Sequence, residues 1–163
     1  MPFSSSNAPY PANEPLPSGN AFSVLVVEDQ GSVRAALVAE LRRAGVSDIF
    51  EAPAGQAALH LFKTHRPDLV LLDLTMPGTK GFSALLRIRG KHPDVPVIVI
   101  SSNDQPRVIQ RARQFDAAAF IPKASPPALI HDAIAQVLEG GSWFPPITVA
   151  SVSYTHLRAQ RPY

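Results

Sequence analysis

The sequence predicts an α/β domain, a parallel sheet of five strands doubly wound with helices on both faces. Three observations point there. Short apolar runs rich in β-branched residues alternate with segments of helical period, five times in succession. The run Val97-Ile98-Val99-Ile100 is apolar on both sides of its alternation, as a strand covered on both faces requires. Stop signals such as Gly45 and Gly140-Gly141 separate the segments.

Each element has its own signal. Residues 22–27, Phe-Ser-Val-Leu-Val-Val, form the first strand. Residues 32–44 carry apolar side chains at 33, 37, 41 and 44, a helical stripe that ends at Gly45. Residues 46–52 are a weaker strand. Residues 56–65 are a helix with Ala58, Leu59 and Phe62 on one face, and residues 68–72 are the third strand. Residues 82–92 form a helix built on Phe82, Leu85, Leu86 and Arg89, followed by a strand over 95–101. Asn103-Asp104 caps a helix over 106–115, and residues 117–121 make the fifth strand. The last helix covers 125–139. Ser125 suits its cap, Pro126 its first position, and Ile130, Ala133, Ile134, Val137 and Leu138 repeat on one face. Trp143-Phe144 is expected to cover the end of that helix.

The 163 residues suffice for one domain with a proper core. Residues 1–20, mostly Pro, Ser, Asn and Ala, read as a flexible leader, because they bury too little to offset ordering. The domain is expected over 21–146. Residues 147–163, ending in VSYTHLRAQRPY, lack apolar periodicity and read as a linker remnant or non-native tail. There is no cysteine, which excludes disulfides and thiol catalysis. No apolar run could span a bilayer and no secretory signal is evident, so a cytoplasmic protein without a membrane partner is expected. A formal charge of +2 with a pI of about 9.2 does not by itself imply a nucleic-acid partner.

In open parallel sheets, ligands gather at the carboxyl ends of the strands. There the sequence places Glu28-Asp29, Asp73, Ser101-Ser102 and Lys123. Asp73 closes the apolar run Val70-Leu71-Leu72, where an isolated charge would be costly. Three carboxylates in one cleft need positive charge, and one lysine is too little. Oxygen donors without His or Cys favour Mg²⁺ over zinc. A carboxylate beside Mg²⁺ and an ammonium suits phosphoryl transfer, with the carboxylate as nucleophile.

The acidic pair Glu28-Asp29, Asp73 within D-L-T-M-P-G-T-K-G, Ser101 and Lys123 together resemble the receiver domain of two-component response regulators. The stretch FIPKASPPALIHDAIAQVLEGGSWFPP resembles the LuxR/FixJ-type subfamily. The resemblance implies a flavodoxin-like (βα)5 fold with strand order 2-1-3-4-5. It makes Asp73 the phosphoacceptor, served by a sensor histidine kinase or a small phosphodonor. It assigns Mg²⁺ to Glu28, Asp29, Asp73 and the backbone carbonyl of Thr75. Lys123 would pair with phosphoryl oxygens, Ser101 and Phe120 would switch, and Thr75 and Asn103 would tune phosphate lifetime. Such a chain is a signalling module, not an enzyme beyond self-phosphorylation and self-dephosphorylation. The resemblance also implies a homodimer through the first and last helices, and DNA binding only through an output domain absent here. Two alternatives are weighed: a phosphate-independent interaction domain, and a haloacid-dehalogenase-like aspartyl phosphatase. The latter needs an acid two residues after the nucleophile, where this chain has Thr75. Ala124 after Lys123, and Asp116-Ala117-Ala118-Ala119 without glycine, depart from the common receiver pattern.

Overall fold

A computed structural model describes residues 22–75 and 80–146. The leader, the tail and Met76-Pro77-Gly78-Thr79 of the Asp73 motif lie outside the described residues. Ten elements alternate along the chain: β1 (Ser23–Val27), α1 (Gly31–Arg43), β2 (Asp48–Ala52), α2 (Gly55–His65), β3 (Leu69–Asp73), α3 (Lys80–Lys91), β4 (Val97–Ser101), α4 (Pro106–Gln114), β5 (Ala119–Pro122) and α5 (Ala128–Leu138). The strands pair in parallel in the order 2-1-3-4-5. This is the doubly wound, flavodoxin-like receiver fold.

Strand alternation sorts the core into two layers. Leu25, Val27, Val70, Leu72, Val97, Val99 and Phe120 pack with Phe62, Leu85, Ile88 and Ile109 of α2, α3 and α4. Val24, Val26, Leu69, Leu71, Ile98, Ile100 and Ile121 pack with Leu41, Ala133 and Ile134 of α1 and α5. β3 and β4 are buried along their whole length, whereas edge strand β2 is half open. α1 stops because Gly45 takes φ +100°, letting Gly45 N–H reach the Arg42 carbonyl and Val46 N–H the Leu41 carbonyl. Just before β5, Asp116 adopts φ +67° and its carboxylate meets Arg89 Nη2 at 2.6 Å.

Three local expectations are corrected, and one contact is added. Leu86 is half exposed, and the buried face of α3 is Gly81, Ala84, Leu85 and Ile88. The cause lies at Gly81, where a Cβ would stand 2.6 Å from Leu74 Cα and from Leu74 O. That close approach turns this face inward. Ser125 caps nothing: α5 begins at Ala128, and the Ser125 N–H instead closes a turn on the Pro122 carbonyl. Two prolines follow Ser125, so a cap there would lack an N–H to accept at the first two helical positions. Asn103 does not cap α4 from the expected place. Its Oδ1 accepts the Gln105 N–H, and Gln105 is the residue that precedes the helix. Trp143 pairs with the sheet edge: Phe120 N–H donates to its carbonyl at 2.9 Å, and its own N–H to Ala118 O at 3.3 Å. This covers part of the open side of β5.

Candidate functional site

Glu28, Asp73 and Lys123 continue the alternation of β1, β3 and β5 on one parity, the side facing α1 and α5. Three separate strands therefore aim charged groups at one place. Glu28 is fully buried, Asp73 is 2% exposed, and Asp29 is exposed at the rim. Their carboxylate oxygens lie within 4.8 Å of one another.

Lys123 Nζ donates to Asp73 Oδ2 at 3.0 Å and stands 3.9 Å from Glu28 Oε1. Lys123 is itself positioned by its N–H on the Ser101 carbonyl at 2.9 Å. Thr75 N–H donates to Asp73 Oδ1 at 2.8 Å, and its hydroxyl donates to the same oxygen. Leu74 N–H holds the loop to the Ile100 carbonyl at 2.8 Å. Both Asp73 oxygens are thus oriented by donors. Neither buried Glu28 oxygen accepts a hydrogen bond among the described residues.

Burial, first, and the Asp73 carboxylate, second, push the Glu28 carboxyl up to about 8, while Lys123 pulls it the other way. For Asp73, burial also pushes upward. The bonds at its oxygens, with Glu28, Thr75 and Lys123, outweigh it and hold the carboxyl below its ordinary value. A buried carboxyl that accepts no hydrogen bond, beside two further carboxylates and one ammonium, is a set of hard oxygen donors with lone pairs to spare. It fits a small divalent cation.

Ser101 continues the other parity, that of Val97 and Val99. It is 1% exposed, with its hydroxyl engaged by Asn103: N–H to Oγ at 3.0 Å, and Oγ to the carbonyl at 3.2 Å. Phe120 is fully buried and sits in register with Val99, two pairs before Ser101. The structure thus gathers Glu28, Asp29, Asp73, Thr75 and Lys123 in one cluster. It leaves Ser101 turned to Asn103, and Phe120 in the core. One contributor was missed in the sequence: Arg34 of α1, whose Nη1 donates to the Glu28 carbonyl at 2.7 Å. Its signal was a cation near the positive end of a helix, where the dipole disfavours it.

Residues 24–135 match the response regulator receiver domain family. The glycerol metabolism activator of Pseudomonas putida is 36% identical over 115 residues, covering 70% of this chain and 52% of that protein. The transcriptional regulatory protein PdtaR of Mycobacterium tuberculosis is 35% identical over 125 residues, covering 77% and 59%. The chain therefore spans little more than half the length of these curated relatives. Among solved structures, a two-component response regulator of the LuxR family from Aurantimonas sp. SI85-9A1 superposes with a TM-score of 0.72 at 25% identity, covering 83% of this chain and 97% of that one. This chain belongs to the response regulator receiver family. Among the described residues no helix is long and apolar enough to cross a membrane.

Proposed function

We propose that this chain is a phosphorylation-dependent receiver in which Asp73 accepts a phosphoryl group. The observation that carries the reading is the 3.0 Å contact of Lys123 Nζ with Asp73 Oδ2, beside the buried Glu28 carboxyl, whose oxygens accept no hydrogen bond. An Asp73 oxygen attacks phosphorus, the phosphorus–nitrogen bond of a phosphohistidine breaks, and the imidazole leaves with a proton. An acyl phosphate remains on the aspartate. Lys123 offsets charge on the phosphoryl oxygens, and Thr75 orients the carboxylate. Glu28, Asp29, Asp73 and the Thr75 carbonyl would hold Mg²⁺, which supplies charge neutralisation when bound. Thr75 and Asn103 stand beside the acceptor and the hydroxyl, where side-chain choice would set how long the phosphate survives.

The donor is a sensor histidine kinase, which sets the place of action in the cytoplasm. The chain is a signalling module and not a turnover enzyme. Relatives that carry names of transcriptional regulators support an output on DNA through a further domain of a longer parent. A cleft of about 290 Å³ between α1 and α5, lined by Val33, Ala36, Leu37 and Ile130, supports a homodimer on that face.

Incubation with acetyl phosphate and Mg²⁺, followed by intact mass, tests the reading. One stable phosphoryl adduct, absent in Asp73→Asn, is the expected result. No adduct would overturn it in favour of a phosphate-independent domain. Rapid turnover without an adduct would favour an aspartyl phosphatase.

A further inference from the structure

We propose that the groove between α2 and α3 docks an acidic amphipathic helix of a partner protein. The groove encloses about 930 Å³ on the sheet face opposite α1 and α5. From α2 it takes Gln56, His60 and Lys63, four and three residues apart and so on one stripe. From α3 it takes Arg87 and Lys91, again one turn apart, with His92 just beyond. Half-buried Ala57 and Leu61 supply apolar surface, over Leu59 in the core. Close contact at Gly55, where a Cβ would stand 2.9 Å from Ala84 Cβ, fixes the spacing of the two helices.

The charge of the groove is uncompensated. Arg34, Arg43, Arg89 and Lys123 each face a carboxylate within 4.0 Å. Among the described residues, Lys63, Arg87 and Lys91 face none, as is true also of Arg42, Arg66, Lys80, Arg107, Arg111 and Arg113, but only these three share one groove with apolar surface. Glu51 also lines the groove, but its carboxylate is drawn to Arg34 Nε at 3.3 Å. Basic residues in the last turn of a helix suit the dipole, which accounts for Lys63 and Lys91 without a ligand. Arg87 lies before the last turn of α3, and that account does not reach it.

The occupant must match apolar surface and cationic flanks together. An inorganic anion or a nucleic-acid backbone would meet the cations and leave the apolar surface uncovered. A helix with an apolar stripe flanked by Glu or Asp matches both features. A second copy of this chain cannot supply one. Across its five described helices the acids are Glu40 in α1 and Asp132 in α5, with none in α2, α3 or α4.

The test uses the full chain and a fluorescent synthetic peptide of about five helical turns, with a Leu stripe flanked by Glu. A scrambled peptide of equal composition and a short DNA duplex serve as controls. Anisotropy should show saturable binding to the wild type, weakened by added salt. The combined Lys63→Glu, Arg87→Glu and Lys91→Glu variant should lose about tenfold or more in affinity. Circular dichroism and phosphoryl uptake on Asp73 should stay unchanged in that variant, and Arg87→Gln alone should weaken binding measurably if the triple variant misfolds. Absence of peptide binding, equal binding of the scrambled peptide, or indifference to these substitutions would overturn the proposal. So would tighter binding of the duplex that depends on the same cations.

Discussion

The Ser101 hydroxyl is closed on Asn103, accepting its N–H at 3.0 Å and donating to its carbonyl at 3.2 Å. To donate to a phosphoryl group on Asp73, the Ser101 hydroxyl must give up its bond to the Asn103 carbonyl. Reversing a 1:99 balance takes about 5.5 kcal/mol of preference. A single bond to a charged group contributes roughly 1.5–3 kcal/mol. From such a balance Ser101 would not complete the switch alone: Lys123 and backbone amides would have to strengthen their contacts in the same step, or the resting balance would have to lie closer to even. The response would travel through Phe120, whose N–H bonds the Trp143 carbonyl. Trp143 is the only tryptophan of the chain, so its fluorescence reports on this edge. Ser101→Ala should accept a phosphoryl group by intact mass, yet lose the fluorescence change that the wild type shows. An unchanged fluorescence response would refute the coupling.

Glu28 makes the fold and its metal affinity depend on pH. Its carboxyl is pushed up to about 8 from an ordinary 4.5, so the folded state keeps a proton that the unfolded chain has released. Without metal, this group costs stability progressively as pH rises from about 4.5 to about 8, and the cost is constant above that. Asp73 acts oppositely: its lowered value adds stability above the ordinary carboxylate range, lost as pH falls through it. A cation at this site must displace the Glu28 proton. Apparent Mg²⁺ affinity should rise with pH and level off near 8, with close to one proton released per ion below that. Calorimetric titrations in buffers of different ionisation enthalpy read that proton directly. Glu28→Gln should bind Mg²⁺ more weakly and release none. A wild-type affinity that is flat with pH would count against this account.

Where the sequence spoke clearly, a local pattern coincided with a burial pattern. Val97 to Ile100 reads as a two-sided strand and is one, and Gly45 reads as a stop and is held at φ +100°. The acid, hydroxyl and lysine positions were legible because strands of this fold end on one edge. Tertiary contacts were not legible. The stripe of α3 is set by Gly81 against Leu74 and not by helical period alone, so Leu86 could be read as core. Trp143 joins β5 through backbone bonds, which side-chain patterns do not encode. The Ser101–Asn103 closure likewise depends on the path of a loop.

Gly81 links helix packing to the acceptor. A methyl group there would stand 2.6 Å from Leu74 O, and Leu74 joins Asp73 to Thr75. The clash is with backbone, so relief requires moving the loop that orients Asp73 Oδ1. Gly81→Ala should destabilise the domain by about 1–3 kcal/mol in urea unfolding. It should also slow phosphoryl uptake from acetyl phosphate, whereas Gly90→Ala, with nothing within 4 Å of its Cβ, should do neither. Equal effects of the two substitutions would show that the contact at Leu74 is unimportant.

Arg34 stands behind the acidic pair and touches neither carboxylate of it. Its Nη1 donates to the Glu28 carbonyl at 2.7 Å, and its Nε meets Glu51 Oε1 at 3.3 Å, tying the end of β1 to edge strand β2. Glu28 N–H is held to the Ala52 carbonyl at 3.0 Å, so the backbone of Glu28 is fixed from both sides while its side-chain oxygens accept no hydrogen bond. Supporting bonds of this kind commonly change metal affinity by roughly 10–100-fold when removed. Arg34→Gln should therefore weaken Mg²⁺ binding by about tenfold, with a loss of stability near 1 kcal/mol for the bond to the carbonyl. Arg34→Lys keeps the charge but not the fork, and should recover only part of the affinity. Glu51→Gln, which leaves the bond to Glu28 intact, should change affinity much less. If Glu51→Gln and Arg34→Gln weakened Mg²⁺ equally, the effect would be one of surface charge, and the carbonyl contact would hold nothing in place.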